Sequence, residues 1–254
     1  FFDIFVNSYI LYIYIYIYIM TTTLITGATR GLGKVIANNL LKKDHKIINI
    51  SKNGIIPNEF KDKNFESYKN NISDIKSTFD LVSNITEKNK IDNVILNSGI
   101  TADNFFHKMK FNQWQSVINT NFLSVYGILN PIINQMRENK NGNVILISSV
   151  NAHRPVLGQT NYSSSKNALI AFNRCLALEN ISKNIKCNVI SPGYINTEMT
   201  QKIPEKTREI IINEIPEKKF CEPEDIYKLI ELLLDNDNYI HGTNIDINGG
   251  LFMK

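Results

Sequence analysis

The sequence predicts one α/β domain built on a doubly wound parallel sheet of about seven strands, with helices on both faces. Three observations lead to this fold class. Strand-like apolar runs alternate with helical runs along the chain, which is typical of a parallel sheet. The run at 46–51 is rich in isoleucine and lacks polar alternation, as in strands that are buried on both faces. The 254 residues are 43% apolar and show no change in composition that would mark a second domain.

The predicted elements follow one another in a regular order. Strands are expected at 22–26, 46–51, 65–70, 93–97, 143–148, 186–190 and 244–247, and helices at 32–41, 74–87, 112–137, 161–181, 205–213 and 223–234. Lys42 and Lys43 suit the end of the first helix, because cations are favourable at the carboxyl end of the helix dipole. Gly54 and Pro57 predict only a weak or shortened helix at 52–64, and Pro131 predicts a kink in the helix at 112–137.

The first part of the chain does not resemble the rest. Residues 9–20 alternate almost strictly between Tyr and Ile, and this run is shorter than the ~20 apolar residues of a membrane helix. A basic leading region and a small-residue cleavage site, which a secretory signal needs, are both missing. A TA dinucleotide tract in the DNA, read as alternating Tyr and Ile codons, would also give this pattern, and Met20 would then be the true start. We expect residues 1–19 to be an untranslated or a disordered or hydrophobic extension, and residues 20–254 to be the domain. Membrane association is expected only if residues 1–19 are retained.

Charge and cysteine content exclude several kinds of function. The net charge is +4, from 28 basic and 24 acidic residues without a long cationic run, so nucleic acid is not an expected partner. Cys175, Cys187 and Cys221 are odd in number and lack C-x-x-C spacing. They are expected to be reduced thiols in the cytoplasm or another reducing compartment, and no metal site is predicted.

A glycine-rich segment follows the first predicted strand and opens the first predicted helix. Gly27 permits the sharp turn, Gly31 lets the backbone approach a pyrophosphate, and Gly33 lets the helix pack close to the sheet. The amino end of the helix then offers N–H groups and a partial positive charge to the phosphates. This context predicts a Rossmann-type dinucleotide site that is formed by Gly27, Thr29, Arg30, Gly31, Leu32 and Gly33.

The end of the second predicted strand indicates which dinucleotide binds. An acidic residue there would accept hydrogen bonds from a free ribose 2′-hydroxyl, but this chain has Ser51, Lys52 and Asn53. Ser51, Lys52 and Arg30 suit a 2′-phosphate instead. The sequence therefore predicts NADP(H) as the cofactor.

Tyr162 and Lys166 are four residues apart on a predicted helix, so their side chains share one face. We expect the ammonium to favour the phenolate and to lower the pKa of Tyr162 from its usual value near ~10. Tyr162 could then exchange a proton with a carbonyl oxygen, and Ser149 at the end of the fifth strand could hold that oxygen. Tyr162 and Lys166 are also expected to contact the cofactor, and Lys166 could bond the nicotinamide ribose. Asn121 could anchor a water molecule that links Lys166 to solvent.

These motifs together resemble the short-chain dehydrogenase/reductase family over residues 22–254. Asn121, Ser149, Tyr162 and Lys166 fall on the catalytic tetrad of that family. The resemblance implies further cofactor contacts from the segment after the fourth strand, from the adenine-side pair and from the segment that closes over nicotinamide. These residues are Asn97, Ser98, Gly99, Asn71, Ile72, Pro192, Gly193, Ile195 and Thr197.

Within the family, the sequence is most similar to reductases of 3-oxoacyl thioesters. The resemblance implies that Asp103, Gln159 and Tyr194 line the thioester pocket, and that NADPH reduces acetoacetyl-CoA or a 3-oxoacyl-carrier protein to the (3R)-hydroxyacyl thioester. This reaction belongs to fatty acid or polyhydroxyalkanoate-type metabolism, and a homotetramer built on 112–137 and 161–181 is implied. Two alternatives stay open: a reductase of another carbonyl compound, and an NADP-binding protein without turnover.

Overall fold

A single parallel sheet organises the chain. The computed structural model describes residues 20–198 and 200–253, so the predicted extension at 1–19 lies outside the described residues. The strands are β1 (Thr22–Thr26), β2 (Lys46–Ser51), β3 (Phe65–Lys69), β4 (Asn93–Leu96), β5 (Gly142–Ile147), β6 (Ile185–Pro192) and β7 (Asn244–Ile247). They form a 7-stranded sheet in the order β3-β2-β1-β4-β5-β6-β7, and every neighbouring pair is parallel. The predicted fold class is confirmed.

Helices cover both faces of the sheet. They are α1 (Gly31–Leu41), α2 (Ile75–Lys88), α3 (Phe111–Ile118), α4 (Ser124–Asn139), α5 (Thr160–Asn180), α6 (Glu205–Glu214) and α7 (Pro223–Leu234). One apolar core lies between the sheet and α2, α4 and α5, and a second core lies between the opposite face and α1 and α7. Among the helices that the structure describes, none is sufficiently long and apolar to span a bilayer.

The structure departs from the predicted elements mainly in the long helix expected at 112–137. This helix is divided by a π-helical segment, Asn119–Leu123, which separates α3 from α4. Pro131, where the sequence predicts a kink, lies inside α4 instead. A π turn widens the helix locally and is frequent at functional sites. Between β2 and β3 only a short 3-10 turn forms, Asn58–Phe60, as the glycine and proline there predict.

The strand order places the chemistry-bearing loops together. The order reverses between β1 and β4, so the loops that leave their carboxyl ends diverge and open a crevice, where open α/β sheets bind ligands. The glycine-rich loop follows β1 and Asn97 follows β4. Ser149 lies shortly after β5, and the segment at 192–197 continues from β6. The sheet therefore brings these separated motifs to one edge.

Gly33 sets how closely α1 approaches the sheet. A Cβ atom at this position would collide with the carbonyl oxygen of Gly27 and would lie 2.7 Å from Nδ2 of Asn97. Both neighbours are fixed, one as backbone and the other by a hydrogen bond to Thr26. Only glycine fits here.

Replacing Gly33 with Ala is expected to lower the free energy of unfolding by at least about 2 kcal/mol, because the helix must shift away from β1. Urea denaturation monitored by circular dichroism measures this change. Asn38→Ala, in the same helix, is the matched control and should leave stability unchanged or slightly raised. Equal stability of Gly33→Ala and the wild type would show that α1 does not pack as described.

Candidate active site

The glycine-rich loop has the backbone conformation that a phosphate site needs. Gly27 and Gly31 have φ angles of 73° and 52°, which favour glycine. Gly27 N donates to the Ile50 carbonyl at 3.0 Å, and Ala28 N donates to Oδ1 of Asn49 at 2.8 Å. These bonds hold the turn against β2. The backbone at 30–33, where α1 begins, therefore has a fixed position relative to the sheet. Arg30 is the exposed N-cap residue of α1, and Thr29 and Leu32 flank it.

The loop after β4 is tied to the same turn. The backbone N–H groups of Asn97 and Ser98 both donate to Oγ1 of Thr26 at 3.0 Å. Asn97 also donates from Nδ2 to the Thr26 carbonyl at 3.1 Å. A Cβ atom on Gly27 would lie 2.7 Å from Oγ of Ser98. The structure thus brings the predicted residues 97–99 directly beside the predicted phosphate loop.

The segment after β6 reaches the phosphate loop from the other side. A Cβ atom placed on Gly31 would lie 3.8 Å from Cγ2 of Thr197. Gly193 packs against Asn248, where a Cβ atom would lie 2.9 Å from the Asn248 Cα. Thr197 therefore lies beside the glycine-rich loop, while Pro192 ends β6 and Ile195 forms an isolated parallel bridge with Cys221. No side chain at Gly31 fills the space next to Thr197, so the residues present fit a dinucleotide.

The end of β2 carries no carboxylate that could accept from a ribose hydroxyl. Oγ of Ser51 accepts hydrogen bonds from Nδ2 of Asn49 at 3.1 Å and from the backbone of Gly54 at 3.2 Å. Its own proton remains available to an acceptor such as a phosphate. Lys52 is exposed beside it. On the adenine side predicted from the sequence, Ile72 is buried and Asn71 is exposed.

Tyr162 and Lys166 share one surface of α5, as their spacing predicts. Nζ of Lys166 lies 5.9 Å from the centroid of the Tyr162 ring. The same ammonium donates to the carbonyl of Ile147, the last residue of β5, at 2.7 Å. Lys166 is only 3% exposed. The side chain is therefore held in place by the strand that leads to Ser149.

Burial shifts the ionisation of both groups. It lowers the pKa of Lys166 from 10.5 to about 8, because the charged ammonium is removed from water. Burial also raises the pKa of the Tyr162 phenol, and a hydrogen bond from Ser149 opposes this shift. The expectation that Lys166 lowers the pKa of Tyr162 is thus wrong for this structure. Desolvation outweighs the favourable interactions, and the negative charge of Asp103 raises the pKa further.

Ser149 lies at the turn that follows β5. It is the N-cap of the 3-10 turn Val150–Ala152, and its Oγ accepts a hydrogen bond from the backbone of Asn151 at 3.2 Å. Since that lone pair is occupied, the hydroxyl proton can point toward Tyr162. The Ser149 hydroxyl and the Tyr162 phenol are hydrogen-bonded neighbours in the crevice.

The π-helical segment carries Asn121 into this site. Oδ1 of Asn121 accepts from the backbone of Ile100 at 2.9 Å, while Nδ2 donates to the Ile100 carbonyl at 3.0 Å and to Oγ of Ser165 at 3.1 Å. Both amide protons are therefore taken by protein groups, and one lone pair of Oδ1 is left for the predicted relay water. A Cβ atom on Gly99 would lie 3.2 Å from Nζ of Lys166 and 3.4 Å from Oδ1 of Asn121. Gly99 thus leaves the space between these two groups open.

The three predicted substrate residues fall into two groups. Nε2 of Gln159 donates to Oδ2 of Asp103 at 2.8 Å, so these side chains contact each other at the crevice. Tyr194 stacks on Phe220 with ring centroids 5.6 Å apart, and burial raises the pKa of its phenol. Phe220 was not predicted, because a single aromatic residue in a loop gives no sequence signal. Asn151 was also missed as a site residue, although its position two residues after Ser149 could have indicated it.

Metal ligands do not cluster in the part of the chain that the structure describes: no three His, Cys, Asp or Glu side chains are placed to hold an ion. Acid–base chemistry by Tyr162, Ser149 and Lys166 is what the arrangement itself offers.

Burial of Lys166 is expected to cost stability in a pH-dependent way. Its pKa is depressed on folding, so the unfolded chain binds the proton more tightly, and the cost of about 3 kcal/mol is fully present below pH ~8. This cost fades as the pH rises toward ~10.5. Lys166→Met abolishes this cost, but it also loses the stabilisation from the hydrogen bond to the Ile147 carbonyl.

Unfolding free energies measured from pH 7 to 10 test this expectation. The free energy of unfolding of Lys166→Met should exceed that of the wild type at pH 7, and the difference between them should decrease as the pH rises. Lys140→Met, at an exposed position, is the matched control for the loss of one lysine. A constant gap for Lys166→Met would contradict the buried ammonium.

Comparison with known proteins agrees with this geometry. The family model for short chain dehydrogenases matches residues 21–208. The 3-oxoacyl-(acyl-carrier-protein) reductase FabG of Buchnera aphidicola subsp. Acyrthosiphon pisum is 36% identical over 237 residues, covering 91% of this chain and 97% of the relative. The acetoacetyl-CoA reductase of Shinella zoogloeoides is 36% identical over 234 residues, covering 90% of this chain and 97% of the relative.

A solved structure shows the same architecture. ElxO with NADP bound superimposes with a TM-score of 0.85 at 28% identity, covering 92% of this chain and 99% of that chain. The family match spans the glycine-rich loop, Asn121, Ser149, Tyr162 and Lys166. The chain belongs to the short chain dehydrogenase family.

Proposed function

We propose that this protein is an NADPH-dependent oxidoreductase that reduces a 3-oxoacyl thioester to the 3-hydroxyacyl thioester. The observation that carries this proposal is the convergence of Tyr162, Lys166 and Ser149 beside a dinucleotide cradle, with Nζ of Lys166 only 5.9 Å from the Tyr162 ring centroid. The names of the relatives support the thioester substrate, since they include both a carrier-protein reductase and a CoA reductase.

The residues of the crevice divide the reaction among them. NADPH, when bound, supplies the hydride to the carbonyl carbon. Tyr162 gives its proton to the oxygen anion that forms, and Ser149 donates a hydrogen bond to the same oxygen. The raised pKa of Tyr162 keeps the phenol protonated at neutral pH, which suits the direction of reduction.

Lys166 restores the proton that Tyr162 gives away. With a pKa of about 8, its ammonium is charged at neutral pH and is acidic enough to pass a proton on. Asn121 Oδ1 keeps one lone pair free, and Gly99 leaves open the gap between this oxygen and Lys166 Nζ. A water molecule held there would connect the ammonium to bulk water.

The cofactor residues support a preference for NADPH. Arg30 is an exposed cation at the amino end of α1 and Lys52 is one directly after β2, where we expect the adenosine ribose, and Ser51 adds a hydroxyl donor. The solved relatives, ElxO and a variant of ElxO in which one tyrosine is replaced with phenylalanine, bind NADP and NADPH. Phosphate contacts are proposed from Gly27, Thr29, Arg30, Gly31, Leu32 and Gly33.

The finer features of the reaction are part of the proposal. The product is expected to be the (3R)-hydroxyacyl thioester, and the acyl group is expected on CoA or on acyl carrier protein, in fatty acid or polyhydroxyalkanoate-type metabolism. A paired assay with acetoacetyl-CoA and acetoacetyl-carrier protein, each with NADPH and NADH, tests this. Turnover of simple ketones without turnover of either thioester would favour a reductase of another carbonyl compound.

A homotetramer is proposed from the long helices. Leu123 and Tyr126 near the start of α4 are 44% and 61% exposed, and Leu178 and Ile181 at the end of α5 are 78% and 61% exposed. These side chains leave apolar surface on both helices that neighbouring subunits could cover. Multi-angle light scattering of the purified protein gives the subunit number, and a monomer would contradict the proposal.

Tyr162→Phe is expected to lower turnover at least about a hundredfold, because the proton donor is lost. NADPH affinity, measured by cofactor fluorescence, should be unchanged. Tyr239→Phe, at a fully exposed tyrosine, is the matched control and should keep wild-type activity. Nearly undiminished turnover of Tyr162→Phe would mean that another group gives the proton.

Lys52→Asp is expected to raise the KM for NADPH about tenfold or more, since it replaces a cation with an anion beside the 2′-phosphate. The KM for NADH should stay constant or fall. Lys42→Asp makes the same change at the far end of α1 and serves as the control. If Lys52→Asp changes the KM values for NADPH and NADH by the same factor, Lys52 does not contact the 2′-phosphate.

A further inference from the structure

A series of hydrogen-bonded side chains connects the loop after β4 to the loop after β5. Nε2 of Gln159 donates to Oδ2 of Asp103 at 2.8 Å, and Nδ2 of Asn151 donates to Oε1 of Gln159 at 2.9 Å. The backbone N–H of Asn151 then donates to Oγ of Ser149 at 3.2 Å. This hydrogen-bond series leads from the exposed carboxylate of Asp103 to the hydroxyl of Ser149, which lies beside Tyr162.

The carboxylate determines the direction of every bond in the chain. An ionised Asp103 can only accept, so Gln159 must present its NH₂ group to it and its oxygen to Asn151. Asn151 must then turn its own NH₂ group toward Gln159. The hydrogen bond holds the Asn151 side chain in place, so the Asn151 backbone N–H stays directed at Ser149. Ser149 is held as an acceptor on one side, which leaves its proton for a partner in the crevice.

The two loops are also joined by bonds on either side of the chain. Asn104 N donates to the Gly158 carbonyl at 2.9 Å, and Nδ2 of Asn161 donates to the Ala102 carbonyl at 3.0 Å. Gly158 has a φ angle of 82°, so the turn before Gln159 is fixed in a conformation that favours glycine. These contacts hold the donor and acceptor atoms at a constant separation.

We propose that Asp103, Gln159 and Asn151 form a positioning relay that holds Ser149 as a hydrogen-bond donor toward the substrate oxygen. This inference rests on the proposed function and deepens it. It assigns Asp103 and Gln159 to positioning and not to the predicted lining of the thioester pocket, since the Gln159 amide uses one proton and one oxygen lone pair within the relay. The three residues act through Ser149 and do not touch the reacting atoms.

Exchanging the carboxylate and the amide between positions 103 and 159 tests the relay. Gln159→Glu places a second carboxylate against Asp103, so the bond breaks and kcat is expected to fall about tenfold. In the double variant Asp103→Asn with Gln159→Glu, the new amide at position 103 can donate to the new carboxylate at position 159. That carboxylate still accepts from Asn151. All the bonds and the net charge are restored, and kcat should return to within about threefold of the wild type.

Controls separate positioning from other effects. Asp103→Asn alone keeps an acceptor for Gln159 but no longer fixes the direction of the bonds, so kcat should fall less than in Gln159→Glu, where the first bond is lost. Gln115→Glu makes the same charge change at an exposed site outside the relay and should change nothing. NADPH affinity and KM should stay constant throughout the series, because the relay positions Ser149 and does not bind substrate.

Two outcomes would overturn the relay: full activity of Gln159→Glu, or a double variant that is no better than Gln159→Glu. A rise in KM without rescue would instead make Asp103 and Gln159 direct substrate contacts. The series uses whichever ketone the wild type reduces. Absence of turnover with every 3-oxoacyl thioester would therefore refute the proposed function while the relay is still judged on another carbonyl substrate.

Discussion

The burial of one ammonium group determines much of this structure. Lys166 is almost fully buried, and its Nζ donates to the last carbonyl of β5 at 2.7 Å. An ammonium without such a partner would be strongly unfavourable in an apolar interior. The surrounding elements therefore have to supply polar groups and space at the same point. The carboxyl end of β5 supplies the acceptor, Gly99 supplies the space, and the π-helical segment supplies the amide of Asn121.

The sheet topology makes this convergence possible from motifs that are far apart in sequence. Each contributing loop needs only to follow its own strand, because the parallel order brings all the carboxyl ends to one edge. The side chains then hold the loops to each other. Thr26 accepts from two consecutive N–H groups after β4, and Asn49 in β2 holds the turn at Ala28. Buried polar residues thus fix the relative positions of the loops that carry the proposed phosphate and acid–base residues.

Periodicity and glycine placement were sufficient to predict the strands, the parallel sheet and the glycine turn after β1. Isoleucine-rich runs without alternation have few alternatives to a buried parallel strand, and Gly33 follows β1 at the spacing that close packing requires. The π-helical segment was not predictable, because helical periodicity is the same on both sides of it and Pro131 suggested a different break. The pKa of Tyr162 was predicted in the wrong direction, since a pairwise argument from Lys166 takes no account of desolvation. The bond between Asp103 and Gln159 joins residues 56 positions apart, and the bond between Asn151 and Gln159 lies within an irregular loop without periodicity, so spacing gives no indication of either.

The proposed reaction requires that the phenol of Tyr162 and the ammonium of Lys166 face a dinucleotide whose phosphates lie at the amino end of α1. A crystal structure of the protein with NADP⁺ is the decisive experiment. We expect the pyrophosphate at residues 31–33, the nicotinamide ring in contact with the Tyr162 hydroxyl, and a ribose hydroxyl within hydrogen-bond distance of Lys166 Nζ. A nicotinamide placed away from both side chains, with the pyrophosphate elsewhere on the sheet edge, would contradict the proposed reaction.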